Sequence, residues 1–192
     1  SNHNGGTCLM NSLHNYRLTE YILNCGADIN VADNNGNTAL HYAIHQNRLN
    51  VTKLLLKRGA DPELKTNNCD DALQLSCIGG HEEIFNYLVD NYNYTQIRLA
   101  DAHKLLGSSI LEQHYDIGRV RSIWLKSLGQ AKADGDPMVL SANTDAGDTT
   151  IMRRRQLAFG SSVKEIESVH ELDCLTGDKF RIQSLIISER IL

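Results

Sequence analysis

The chain contains few helix-breaking residues and no long apolar run. Only two prolines occur among 192 residues, and because proline interrupts helices most of the chain is predicted to be helical. No stretch is apolar over the eighteen or so residues that a transmembrane helix needs. The first residues also lack the basic-then-apolar order of a signal peptide. We therefore expect a helical protein with no membrane partner.

Cysteine does not occur in a pattern typical of a disulfide framework or a zinc ribbon. The five cysteines are odd in number and include no C-x-x-C pair, so we expect reduced thiols and no metal site. Reduced cysteines are typical of the cytoplasm and the nucleus. We expect a cytoplasmic protein, with the nucleus as a second compartment. Cys8 and Cys77 are predicted to be small buried residues.

An excess of basic residues is also lacking. The formal net charge is −4, and residues 1–95 carry six Lys and Arg against ten Asp and Glu. Nucleic-acid binding needs a basic stripe, so no nucleic-acid partner is expected. The negative charge of residues 1–95 favours a basic ligand. The alternative is an acidic surface that contacts only solvent, which would give the same composition.

A period of thirty-three residues organises the first half of the sequence. Gly-Ala-Asp at 26–28 recurs at 59–61, and Thr-Ala-Leu-His at 38–41 recurs as Asp-Ala-Leu-Gln at 71–74. This spacing with a T-x-L-H block resembles the ankyrin signature, in which a turn precedes two antiparallel helices. Stacked repeats usually form binding surfaces, so the pattern predicts an interaction module.

Three repeats are predicted within residues 1–94. Each begins its first helix after a capping residue, Thr7, Thr38 or Asp71. The first repeat is two residues shorter than the second, and we expect the loss in the turn between its helices. Because the sequence starts inside a repeat, we expect the natural protein to begin earlier. The second helices carry a stripe predicted to be buried: Leu18, Tyr21, Ile22, Val51, Leu54, Leu55, Ile84, Tyr87 and Leu88.

Residues 95–192 are predicted to form helical hairpins like those of tetratricopeptide (TPR) repeats. Helices are expected at 96–114 and 117–128, with Gly107 and Trp124 in the small and aromatic slots of one hairpin. A flexible loop rich in Gly, Asp and Thr is expected at about 131–150, followed by helices at 151–159, 163–172 and 180–192. The predicted fold class is all-α, an ankyrin-repeat solenoid followed by TPR-like hairpins.

No catalytic or cofactor signature is present. The sequence contains no P-loop, G-x-S-x-G, H-E-x-x-H or kinase pattern, so we expect neither an enzyme nor a cofactor. His41 and His45 are four residues apart and could hold zinc, but the T-x-L-H histidine normally forms hydrogen bonds that link neighbouring turns. Cys77 and His81 fail as a catalytic pair because Cys77 should be buried.

Several segments together resemble one family. They are T-C-L-M at 7–10, G-A-D-I-N at 26–30, G-N-T-A-L-H at 36–41, L-A-D-A-H-K-L-L-G at 99–107, R-S-I-W-L-K-S-L at 121–128 and R-I-Q-S-L-I-I-S-E-R-I-L at 181–192. Their order is similar to that of the Fem (feminization) proteins, which join N-terminal ankyrin repeats to TPR-like helices. The resemblance covers about 1–130 and 178–192.

The resemblance implies a substrate-recognition subunit of a cullin-RING ubiquitin ligase that binds C-terminal degron peptides. The cullin and elongins would then bind regions outside this chain. The alternative is a generic ankyrin scaffold for a signalling or cytoskeletal complex with no ubiquitin link. A third hypothesis is the regulatory domain of an enzyme whose active site lies outside this chain.

The thirty-three-residue register predicts the peptide-binding surface. The inner surface of an ankyrin stack comes from the turn before each first helix and from the outward side of that helix. Asp33 and Asp70 could pair with a basic residue of a peptide, or they could support β-turns through bonds to backbone amides. The predicted peptide-binding residues are Asp33, Asn34, Tyr42, His45, Gln46, Asn67, Asn68, Asp70, Leu75 and Ile78.

Overall fold

A computed structural model of the chain describes residues 5–131, 165–166, 168–173, 175 and 177–191. Every regular element in these ranges is a helix, which confirms the predicted all-α class. The chain divides into two compact units, unit 1 (Ser1–Tyr92) and unit 2 (Asn93–Leu192). None of the helices so described is both long and apolar enough to cross a membrane. The helices are α1 (Cys8–Ser12), α2 (Tyr16–Asn24), α3 (Ala39–His45), α4 (Leu49–Lys57), α5 (Ala72–Ile78), α6 (Glu82–Asn91), α7 (Gln96–His114), α8 (Ile117–Ala131), α9 (Val169–Asp173) and α10 (Gly177–Ile191).

Unit 1 contains three helix pairs, α1–α2, α3–α4 and α5–α6, each of which begins at a predicted cap. Thr7 accepts a hydrogen bond from the Met10 amide, and Asp71 accepts one from the Gln74 amide. These bonds satisfy amides that have no partner inside the helix. The leucine two positions after each cap is at most 1% exposed, as the core between repeats requires. These leucines are Leu9, Leu40 and Leu73.

The first repeat is shortened within its first helix. Helix α1 has five residues, whereas α3 and α5 have seven each. The turn to α2 keeps the same length as in the other repeats, and Asn15 in this turn caps α2 by accepting a bond from the Leu18 amide. The expectation of a shorter turn is therefore wrong, because the cap of the second helix fixes the turn.

The apolar stripe of the second helices is buried in the second repeat and, apart from the half-buried Tyr87, in the third, but not in the first. Val51 and Ile84 are 5% and 0% exposed, whereas the equivalent Leu18 is 42% exposed and Tyr21 is 66% exposed. The prediction that Leu18 and Tyr21 are buried is wrong, and Ile22 is only half-buried, because no described repeat covers that face of α2. Thr19 is the buried residue of α2.

The two cysteines predicted to be buried differ in their surroundings. Cys77 lies in the interior of α5 and is buried, which confirms the prediction for this residue. Cys8 is exposed as the first residue of α1, so the prediction for this residue is wrong. Cys8 is the first residue of α1 and does not lie on the side of the helix that packs inward. The buried residues of α1 begin at Leu9.

Unit 2 is organised around Trp124. The indole Nε1 donates a 3.0 Å hydrogen bond to the Lys104 carbonyl, and the ring stacks on Phe180 with centroids 5.5 Å apart. Gly107 faces the indole, where a Cβ atom would overlap Nε1. The buried side chain of Trp124 therefore links α8 to α7, as predicted for the Gly107 hairpin, and it also links α8 to α10, which was not predicted. The narrower assignment of unit 2 to TPR-like hairpins stays a prediction.

A charged cluster attaches Glu165 to α7 and α10. Its carboxylate accepts hydrogen bonds from Lys104 Nζ at 2.6 Å and Arg190 Nε at 2.5 Å, and Arg190 Nη2 also donates to Asp101 at 2.7 Å. Burial raises the pKa of Glu165, but the bonds and charges of Arg190 and Lys104 outweigh burial and hold the pKa below its ordinary value. Glu165 is therefore ionised in the folded chain at neutral pH.

The remaining sequence predictions of unit 2 fall partly outside the described residues. Helices predicted at 96–114 and 117–128 correspond to α7 and α8, and the helix predicted at 180–192 corresponds to α10. The predicted loop, apart from residue 131, lies outside the described part of the chain, as do the helix predicted at 151–159 and most of the one predicted at 163–172.

Candidate functional site

The predicted site residues, named the strip below, lie on α3, on α5 and on the turns before these helices. Tyr42, His45 and Gln46 are three and four residues apart and so share one face of α3 and its end. Leu75 and Ile78 have the same spacing on α5. His45, Gln46 and Ile78 are exposed, and the other two are half-buried. Helices α3 and α5 contact each other, so the two halves of the strip adjoin.

The carboxylate of Asp33 is the centre of the turn before α3. Its Oδ1 accepts hydrogen bonds from the amides of Asn35 at 2.9 Å and Asn37 at 2.8 Å, and its Oδ2 accepts one from the Tyr42 hydroxyl at 2.6 Å. Burial raises the pKa of Asp33, but these hydrogen bonds outweigh burial and keep the pKa below its ordinary value of 3.8. Asp33 is only 8% exposed, so its role is to support the turn.

Thr66 takes the place of Asp33 in the turn before α5. Its hydroxyl accepts hydrogen bonds from the amides of Asn68 at 3.2 Å and Asp70 at 3.3 Å, as Asp33 does in the preceding repeat. Asp70 contributes its amide to this turn, and no described bond of its carboxylate supports the turn. The alternative that Asp70, like Asp33, supports a turn through its carboxylate is therefore wrong, because a shift of thirty-three residues from Asp33 leads to Thr66.

Asp70 is the strip carboxylate that stays available. It is half-buried, and its side chain has no hydrogen-bond or ion-pair partner among the residues described. Burial, followed by the negative charge of neighbouring Asp71, raises the pKa of Asp70 above its ordinary value of 3.8. A cation beside Asp70 would relieve both effects, so this position suits a basic group.

Two asparagines of the strip join the neighbouring turns. The amide of Asn67 donates to the Asn35 carbonyl at 2.9 Å, and its side-chain Nδ2 donates to the Asn34 carbonyl at 3.1 Å. The Asn67 side chain also lies against Gly36, where an added Cβ would come within 2.8 Å of its Oδ1. Asn67 therefore aligns the turns, while the exposed Asn68 leaves its side chain toward solvent.

Two histidines outside the predicted strip also connect the repeats. His41 Nδ1 accepts a bond from the Thr38 amide at 3.0 Å, and Nε2 lies 2.9 Å from the Leu64 carbonyl, to which it donates. Both ring nitrogens are thus used by the backbone, so His41 has none left for zinc. The His81 ring bonds to the backbone of His45. The T-x-L-H pattern predicted the hydrogen bonds of His41, but no sequence pattern predicted the bond from His81 to the backbone of His45.

The arrangement offers chemistry for recognition. Leu75 and Ile78 supply apolar surface, His45 and Gln46 supply hydrogen-bonding groups, and Asp70 supplies a negative charge between turn and helix. Across the ranges that the structure describes, no group of three His, Cys, Asp or Glu side chains could hold a metal ion. A peptide or protein surface with apolar and basic groups matches this set.

Comparisons with known proteins identify the repeats. The family model described as ankyrin repeats (3 copies) matches residues 1–66. Notch-regulated ankyrin repeat-containing protein B of Danio rerio is 33% identical over 84 residues, which cover 44% of this chain and 76% of that protein. The Notch-regulated ankyrin repeat-containing protein of Homo sapiens is 35% identical over 77 residues, or 40% of this chain and 68% of that protein.

A viral relative is similar over a longer stretch of the chain. Putative ankyrin repeat protein L92 of Acanthamoeba polyphaga mimivirus is 32% identical over 109 residues, which cover 55% of this chain and 24% of that protein. The residues that the family model matches contain the first two helix pairs of unit 1, α1–α2 and α3–α4. The sequence period, the geometry of the turns and these similarities agree: the chain belongs to the ankyrin-repeat family.

Proposed function

We propose that unit 1 binds a short segment of a protein partner along the strip. Ankyrin-repeat proteins are generally non-enzymatic interaction modules. The observation that carries the proposal is that exposed side chains of α3 and α5 adjoin turns already joined by the bonds of Asn67. Such a surface loses little conformational freedom on binding, which favours affinity.

The chemistry of the strip indicates a partner segment with an apolar residue beside a basic one. Ile78 is 37% exposed and Leu75 is half-buried, so an apolar side chain could cover both. A Lys or Arg nearby could pair with Asp70, which would contribute a charge-assisted hydrogen bond. Asp33 is not part of this recognition because Tyr42 and two amides already use its oxygens.

Peptide selection on the whole chain tests the proposal. A phage library of random short peptides would be selected on the wild-type protein, and dissociation constants of synthetic hits would be measured by fluorescence anisotropy. We expect Ile78→Ser and Asp70→Asn each to weaken binding by about tenfold, since each removes roughly 1.4 kcal/mol. Ile78 and Asp70 are exposed or half-buried, so both variants should stay folded.

The matched control is Glu83→Gln, an exposed change on α6, the second helix of the same repeat. It should leave binding unchanged. Hits that bind every strip variant as tightly as the wild type would contradict the proposal, as would a library that yields no hits.

The finer proposal, that the array is a substrate receptor of a cullin-RING ligase recognising C-terminal degrons, rests on the Fem resemblance alone. The relatives named above carry no ubiquitin designation, so a generic scaffold is the broader reading of the same array. We also propose that unit 2 consists of TPR-like hairpins and that the protein is located in the cytoplasm or the nucleus. Co-purification of a cullin and elongins with the full-length protein would support the ligase, and their absence would favour the scaffold.

A further inference from the structure

Unit 2 contains a cleft that shares no residue with the strip. Its volume is about 440 Å³, which lies in the usual range of ligand-binding pockets. The cleft lies between the C-terminal end of α7 and the first half of α10. Its lining residues are Leu111, Glu112, Gln113, His114, Tyr115, Arg181, Ser184 and Leu185.

An unusual backbone conformation positions one wall of the cleft. Tyr115 ends α7 in the left-handed region with φ 52° and ψ 32°, and its amide donates to the Leu111 carbonyl at 3.0 Å. A non-glycine residue in this region costs free energy that the surroundings must offset. The Tyr115 hydroxyl lies beside Gly177, where an added Cβ would be 3.2 Å away. The ring is thereby held against the first turn of α10.

Arg181 lies over the ring of Tyr115, and its N–H groups stay available for hydrogen bonds. Its guanidinium carbon is 4.7 Å from the centroid of Tyr115, a cation–π contact that uses the face of the guanidinium. Its N–H edges form no hydrogen bond or ion pair with any side chain whose position the structure describes. A stacked arginine of this kind is pre-oriented to bind a carboxylate with two parallel bonds.

The rest of the cleft is apolar and open. Leu111 is buried at its base, whereas Leu185 and Tyr115 are each 47% exposed. Together with Leu111 they give the cleft an apolar surface that an apolar side chain of a partner could cover. Glu112, the acidic residue of the lining, lies 3.5 Å from the Ser184 hydroxyl, on the side of α7.

We propose that this cleft binds a peptide segment of a second protein in which an apolar side chain is followed or preceded by a carboxylate. The apolar side chain contacts Leu111, Leu185 and Tyr115, and the carboxylate pairs with Arg181. The open rim suits a passing polypeptide chain better than an enclosed small molecule. The partner chemistry is opposite in charge to that proposed for the strip, so the two sites would bind different segments.

The test uses a phage library of random short peptides selected on the whole chain and counter-selected on the Arg181→Gln, Leu185→Ser double variant. Arg181 and Leu185 are exposed, and Trp124 fluorescence would verify that each variant is folded. We expect the remaining peptides to contain Asp or Glu next to Leu, Ile, Met or Phe. Their affinity should fall more than about tenfold with either single substitution.

The matched control is Lys179→Gln, an exposed cation on α10 that does not line the cleft. It should leave the affinity unchanged. Peptides that lose affinity equally with Lys179→Gln would indicate nonspecific charge attraction and overturn the proposal. A selection that enriches no peptide would overturn it too, as would self-association of the chain that Leu185→Ser abolishes, since a second copy would then be the occupant. Binding at the strip is tested by other variants, so either proposal can fail alone.

Discussion

The Tyr42 hydroxyl donates a 2.6 Å hydrogen bond to Asp33 Oδ2 and thereby connects α3 to the turn that precedes it. The bond to Asp33, followed by burial, raises the pKa of Tyr42 above its ordinary value of 10.0. In the next repeat, Thr66 and Leu75 replace this pair together. A threonine has one side-chain oxygen, which two amides already use, so it needs no tyrosine donor.

Replacing Tyr42 with phenylalanine should lower the free energy of unfolding by about 1–3 kcal/mol, because Asp33 Oδ2 would be buried without its donor. Urea denaturation at neutral pH measures the loss. The double variant Asp33→Thr, Tyr42→Leu copies the third repeat and should lose less than the sum of its single variants. Additive losses would show that the two side chains do not act as a pair.

Cys69→Gly should raise the free energy of unfolding by about 0.5–1 kcal/mol. Cys69 occupies the left-handed region at φ 67°, where Gly36 has φ 78° in the preceding repeat, and a side chain is unfavourable there. Cys69 is exposed, so little packing is lost. The reciprocal control, Gly36→Ala, should destabilise, because the added Cβ would come within 2.9 Å of the Asn67 amide nitrogen. A stabilising Gly36→Ala would refute the turn geometry.

The stability of unit 1 should depend on pH through His41. Burial lowers the pKa of His41 below its ordinary value of 6.5, more than its bond to Leu64 raises it. The unfolded chain therefore binds a proton more readily, so stability is complete above about pH 6.5 and decreases as the pH falls below it.

His41→Gln should reduce this pH dependence, since Gln74 occupies the same slot in the third repeat without titrating. The measurement is the free energy of unfolding at several pH values between about 7.5 and 5. Burial also lowers the pKa of His81 and His103, so part of the dependence should persist. A variant with the wild-type slope would contradict the assignment.

Glu165→Gln should destabilise unit 2 by about 3–5 kcal/mol, because it breaks the largely buried ion pair with Lys104 and leaves the more exposed Arg190 with Asp101 alone. The side chains of Lys104 and Glu165 are 11% and 16% exposed. The control is Glu20→Gln, which removes a surface ion pair with Arg58 and should cost at most about 1 kcal/mol. If Glu165→Gln and Glu20→Gln lowered the stability equally in thermal denaturation, burial would not strengthen the cluster.

Gly107→Ala should destabilise unit 2 by about 1–3 kcal/mol, because the added methyl group overlaps the indole of Trp124. Gly129→Ala on α8 is the matched control, since a Cβ there meets no atom within 4 Å. That change should stabilise the helix by about 0.5–1 kcal/mol. Fluorescence of Trp124, the single tryptophan of the chain, follows unfolding of unit 2 in both variants.

The turns before α3 and α5 show how much of the site the thirty-three-residue period predicts. A shift of thirty-three residues pairs Asp33 with Thr66, so the signal for the true equivalence was present in the sequence. In the same register Asp70 corresponds to Asn37, and each of these two residues contributes its backbone amide to its turn. The hydrogen bond from Tyr42 to Asp33 could not be predicted from the sequence. It depends on the distance between the turn and a side chain nine residues further along the chain.

The sequence by itself determined most of the described helices, their caps in unit 1 and the ankyrin period, because these features depend on hydrogen bonds and apolar spacing within a few neighbouring residues. Only the tertiary structure decided which faces are covered, as the exposed Leu18 and the buried Val51 show for the same repeat position. It also decided the cleft in unit 2, where Tyr115 and Arg181 are far apart in sequence. Burial and pairing across such separations depend on the packing of whole helices, and no local pattern of residues encodes that packing.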